Sequence, residues 1–196
     1  MKKSAFTLAE VLITLVIIGV IASMTIPTLI KKKNSHEYVS RLRKVYSTMA
    51  QATKKIIAEE GNPKEAWASS ISSVYNMYKK HLVITKECGN SDCLGYTYTN
   101  FSNFNVPYYQ RFVLSDGAIV NFAELNSTCA AWGDGICEWI DVDVNGIKGP
   151  NIPGVDIFAL NLTVDGLIPA NCNNYIDSCT GTYCTCKVLK EGKIDF

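Results

Sequence analysis

From Phe6 to Ile30 the chain is apolar at nearly every position, 25 residues interrupted only by Glu10 and small polar side chains. As a helix rising 1.5 Å per residue this stretch extends about 37 Å, enough to cross a bilayer core with some tilt. A secretory signal has an apolar region of only about 7–15 residues followed by a small-residue cut site, so the stretch reads as a span. Pro27 removes one backbone hydrogen bond and is expected to bend the helix without ending it. Beyond Lys31, Lys32 and Lys33 the pattern becomes one-sided. Tyr38, Leu42, Val45, Met49, Ala52 and Ile56 recur at alternating steps of four and three, with Arg41, Arg43, Lys44 and Lys54 elsewhere on the helix. This stripe predicts packing against a sheet in preference to a coiled-coil seam, and Gly61 supplies the stop. One spine from Phe6 to about Glu60 results.

A second helix is expected immediately afterwards. Asn62 suits the N-cap, Pro63 the first helical position and Glu65 the capping-box place, while Trp67, Ile71, Val74 and Tyr78 mark its apolar side. From Leu82 the pattern turns to short strands. Phe112 to Phe122 reads as a hairpin around Asp116-Gly117, and Leu160 to Ile168 as another around Asp165-Gly166. Trp139 to Val144 alternates and ends at Asn145-Gly146. The order of elements predicts an α+β fold: a long N-terminal helix packed on a small antiparallel sheet. No internal repeat, low-complexity tract or Pro-rich linker divides the chain.

At 196 residues the chain holds one span and one domain with its own core. Its net charge of +1 conceals a split: ten Lys/Arg against two acids up to Lys55, and nine against sixteen after it. An acidic body argues against nucleic-acid binding, which relies on clustered cations that neutralise phosphate. Lys2 and Lys3 precede the span and three lysines follow it, so charge alone favours a cytoplasmic domain. The cysteines point the other way. All eight lie between Cys88 and Cys186, in an even count and in loop-rich surroundings, as in disulfide-bonded exported domains. Cys88 with Cys93 and Cys129 with Cys137 are local candidates; Cys172, Cys179, Cys184 and Cys186 then pair among themselves in some order. The last four also resemble a zinc cluster, but they lack two paired Cys-x-x-Cys knuckles, which favours disulfides.

Asp141-x-Asp143-x-Asn145-Gly146 repeats the first half of an EF-hand loop, with oxygen ligands at every second position and a Gly for the turn. The closing position is Ile152, so only Asp156 offers a later carboxylate. Calcium is therefore weighed against a plainer reading, in which Asp141 and Asp143 form the wet face of a strand. For catalysis the sequence offers little. His36 and His81 are the only histidines, and neither lies in a nucleophile or protease signature; no phosphate loop or dinucleotide fingerprint occurs. The chain reads as no enzyme.

Glu10 is the anomaly of the span. An acid in hydrocarbon costs upward of roughly 2.5 kcal/mol at the helix centre and calls for a partner. The run Ala5-Phe6-Thr7-Leu8-Ala9-Glu10-Val11-Leu12, after Lys2 and Lys3, resembles the cleavage and methylation signal of type IV prepilins and type II secretion pseudopilins. The resemblance covers about the first thirty residues. It implies that a membrane prepilin peptidase cuts between Ala5 and Phe6 and methylates the new amino group, that Glu10 is the assembly glutamate, and that Pro27 is the kinking proline of the pilin helix. Ala5 stands where the family usually has Gly. The implied organisation is a leader over 1–5, a membrane and assembly half over 6–30, an amphipathic half over 31–60 and an exported pilin-like domain over 61–196. The implied partners are other pilin copies, the peptidase, the inner-membrane assembly machinery and the membrane. The expected location is the cytoplasmic membrane, then a periplasmic or extracellular filament. Some pseudopilins hold calcium in a late loop, which bears on Asp141, Asp143, Asn145 and Asp156. The alternative function is a minor or tip subunit, or a tethered domain, that binds carbohydrate, DNA or a secreted protein through Tyr96, Tyr98, Phe101, Phe104, Tyr108 and Tyr109.

Overall fold

A computed structural model describes residues 7–89, 110–130, 135–172 and 181–194. Helix α1 runs without interruption from Leu8 to Glu60, about 80 Å, and passes through Pro27. It starts at Leu8 because Thr7 is its N-cap, and it stops at Gly61, whose backbone N–H bonds Ile57 O from a positive φ that suits glycine. Its two halves behave differently. From Leu8 through Lys33 no residue is buried, and the first buried one is Ser35. The predicted stripe of Tyr38, Leu42, Val45, Met49, Ala52 and Ile56 is buried in full.

The expected second helix is two elements. Pro63–Trp67 forms a single π-helical turn capped by Asn62, and α2 spans Ile71–His81 with Ser70 as its own N-cap. The Trp67 indole donates to Gly61 O (3.1 Å) and Ala68 N–H closes on Pro63 O, while the Ser70 hydroxyl accepts Ser73 N–H (3.0 Å). A serine that offers its own cap competes with continuation of the helix.

Six strands form one antiparallel meander in chain order: β1 Ile84–Gly89, β2 Gln110–Leu114, β3 Ile119–Leu125, β4 Ile136–Asp143, β5 Ile157–Thr163 and β6 Gly166–Pro169. Both predicted hairpins are present as β2–β3 and β5–β6. In register, Phe112, Val120, Val142 and Phe158 make one apolar row, and Phe122, Ile140 and Leu160 the next. The two helices share this face. Tyr75 and Tyr78 of α2 pack on Phe112 and Phe122, and Tyr46 of α1 donates to Leu167 O of β6 (3.4 Å). Thr53 Oγ1 and Tyr78 Oη share a 2.6 Å hydrogen bond that ties α1 to α2 inside the core, where burial pushes the phenol pKa up.

The opposite face is also covered. Arg111, Asn121 and Asp141 lie side by side in register and are buried, which corrects the reading of Asp141 and Asp143 as a wet face. Part of the cover is the 3-10 turn Gly181–Cys184 and α3, Thr185–Glu191: Tyr183 packs edge-on against Trp139 (5.1 Å between centroids), and Thr185 Oγ1 accepts Ala159 N–H (3.0 Å). The chain then returns to the foot of the spine, where Arg43 donates to Leu189 O (3.3 Å) and Ile194 N–H to Ser35 Oγ (2.9 Å).

Candidate functional site

At the head of α1, Thr7 is extended and its hydroxyl oxygen accepts Glu10 N–H (3.3 Å). In return one Glu10 oxygen, Oε2, accepts both Thr7 N–H and Thr7 Oγ1–H at 2.8 Å. This is a reciprocal capping box, and it places a carboxylate at the end of the helix where exposed N–H groups favour negative charge. Leu8, Val11, Leu12 and Ile13 surround it, all exposed. The second oxygen, Oε1, has no donor among the described residues and is open to a cation from outside the chain. Thr7 escaped the sequence reading, although Thr-x-x-Glu before an apolar run is itself the signal that finds it. Ala5 and Phe6 lie outside the described residues.

The apolar half has the chemistry of a lipid- or protein-embedded helix. It is long and apolar enough to cross a membrane, and none of its apolar window is buried in the domain. Its hydroxyls turn back on the helix: Thr14 donates to Val11 O (2.9 Å), Ser23 to Val20 O (2.8 Å), Thr25 to Ile21 O (2.9 Å) and Thr28 to Met24 O (3.4 Å). Each hydroxyl is thereby satisfied by its own helix, as a helix in an apolar surround requires.

The four oxygen-bearing residues of the EF-hand-like run are all buried, and three of them, Asp143, Asn145 and Asp156, fasten the loop after β4. Asp141 accepts the Trp139 indole N–H (3.1 Å), and Asp143 accepts Asn145 N–H (3.2 Å). Asn145 donates to Gly149 O (2.7 Å), and the Asp156 carboxylate accepts Asn151 N–H (2.8 Å) and Ile152 N–H (2.7 Å) through separate oxygens. Burial raises the Asp156 pKa, opposed by those backbone N–H groups, and Tyr38 of the spine packs close enough for its phenol to feel the Asp156 charge. Among the described residues no three His, Cys, Asp or Glu side chains converge on a common point.

Cys129–Cys137 and Cys172–Cys186 are disulfides, and Cys88 and Cys184 are also disulfide-bonded. The described residues include no free thiol. Cys93 and Cys179 lie outside the described residues, as do the aromatic positions Tyr96, Tyr98, Phe101, Phe104, Tyr108 and Tyr109.

A family model of the prokaryotic N-terminal methylation motif matches residues 1–26. The chain thus carries the prepilin-type cleavage and methylation signal found in type IV pilins and pseudopilins, on a pilin-like α+β layout. No curated protein and no solved structure matches the chain.

Proposed function

We propose that this chain is a structural subunit of a type IV pilus-like or type II secretion filament, made as a membrane-anchored precursor. Prepilin peptidase removes residues 1–5 and methylates the amino group of Phe6; the apolar half of α1 then leaves the bilayer for the core of the filament. Its unburied side chains exchange lipid for neighbouring helices, so little apolar surface meets water at any stage. Glu10 pairs with the amino terminus of an adjacent copy. The supporting observation is the methylation motif together with a capping box that holds the Glu10 carboxylate toward the N-terminal end, with Oε1 open. The buried ionic pair sets register between subunits, a role such pairs fill in other assemblies.

Two measurements test this. Mass spectrometry of the mature chain should find an N-methylated Phe6, and a chain that retains Lys2 and Lys3 in a host with the peptidase would sink the proposal. Glu10→Ala should be cleaved normally yet be depleted in sheared filaments; wild-type incorporation would remove the charge-pairing step.

A further inference from the structure

Because α1 is one helix, its domain half begins almost at the end of the span. Ser35 is buried only five residues after Ile30, a rise of about 8 Å, so no linker separates the domain from the bilayer. Against the first buried turns of α1 lie the Asp116-Gly117 hairpin turn, whose Asp116 pairs with Lys44, and the loop after β4, whose Asn145 meets Tyr38. There an open cleft of about 410 Å³ has Val113, Ile119 and Ile147 in its walls and Arg41, Lys86 and Lys148 around them. Ile147 is 64% exposed, an apolar tip beside the cationic rim. Arg41 stands about 16 Å along the helix from Ile30, and its side chain reaches back one turn to Glu37 (3.0 Å), which is about 10 Å from Ile30, toward a headgroup layer about 5–8 Å deep. Among the described residues, Asp116 of the cleft is paired with Lys44 (3.2 Å), Arg41 with Glu37, and Lys148 has no ion pair.

From this placement we infer that the base of the domain docks on the bilayer, with the cleft between Arg41, Lys86 and Lys148 taking the headgroup of an anionic phospholipid. Lys31, Lys32 and Lys33 lie on α1 between this cleft and the span. The contact holds the precursor upright before assembly and must be released when the helix is drawn out. It rests on the membrane-anchored stage proposed above, but on none of the filament contacts.

The test uses the full chain in lipid nanodiscs, either all zwitterionic or containing phosphatidylglycerol, with a paramagnetic headgroup probe and isoleucine methyl NMR. Ile147 should relax several-fold faster in the anionic discs. In Lys86→Gln/Lys148→Gln the difference should fall more than tenfold, since each lysine near an anionic surface contributes roughly fivefold in affinity. Equal relaxation in both lipids, or an unchanged difference in the variant, overturns the inference. Loss of the effect on adding inorganic phosphate assigns the cleft to free anion and overturns it too. Methyls of Ile17 and Ile18 report insertion separately: if they show no lipid contact, the membrane-anchored reading itself has failed.

Discussion

Two residues three apart, Thr7 and Glu10, form the capping box at the head of α1. On the proposed pairing of Glu10 with a neighbouring amino terminus, Thr7 orients the carboxylate in advance, so Thr7→Val, which removes the hydroxyl at constant shape, should lower filament yield while leaving cleavage intact. The cap is worth about 1 kcal/mol, so the loss should be several-fold and smaller than that of Glu10→Ala. Yield in sheared preparations, normalised to processed subunit, measures both. Asp156 makes a second prediction at this scale. Burial raises its pKa, so the folded chain holds a proton more tightly than the unfolded chain does. Its contribution to stability is therefore full below the ordinary carboxylate range and declines as pH rises through the raised value. The stability of wild type relative to Asp156→Asn should fall as pH increases from about 4 and then level off, as followed by denaturant titration at each pH. Glu10 was legible in the sequence because a charge within an apolar run is conspicuous. The fastening role of Asp156 was not, because its partners are backbone N–H groups whose direction only the folded loop fixes.

Among the elements, the spine was the most legible. Its alternating four- and three-residue steps follow from helical geometry alone, and every stripe residue from Tyr38 to Ile56 is buried. The helix after it was less so, since Asn62-Pro63 and Ser70 are both acceptable starts and the sequence does not rank two caps separated by eight residues. The turns were found by Asp-Gly and Asn-Gly, but their cost was hidden. Gly146 and Gly117 both have positive φ, yet a Cβ on Gly117 would meet open space while one on Gly146 would overlap Gly117 O. Gly117→Ala should cost about 1–2 kcal/mol of backbone strain. Gly146→Ala should exceed it by at least 1 kcal/mol, because the β2–β3 turn must move away from the loop after β4. Chemical denaturation of the two variants side by side gives the difference, and equal losses would show that the turns separate freely.

The whole molecule depends on a closure that no local pattern announces. An antiparallel sheet beside one long helix suggested one dry face and one wet face, yet Arg111, Asn121 and Asp141 are buried on the side away from α1. Part of that cover is a short C-terminal helix, and Cys172–Cys186 ties it back to the end of β6 before the chain reaches Arg43 and Ser35 of the spine. Counting loop length alone, Cys172–Cys186 and Cys129–Cys137 should be worth nearly the same, about 3 kcal/mol for the longer and ~0.5 kcal/mol less for the shorter. The cover breaks that equality. Loss of the Cys172–Cys186 bond also frees Tyr183 from Trp139 and Thr185 from Ala159 N–H, so a buried sheet face becomes wet. Cys172→Ser/Cys186→Ser should therefore lower Tm by about 10 °C or more, and Cys129→Ser/Cys137→Ser by distinctly less. The emission of Trp139 should shift to the red in the first variant alone, before global unfolding. Equal Tm losses without that shift would mean that the C-terminal helix stays seated without its disulfide, held by its contacts with the sheet and the spine.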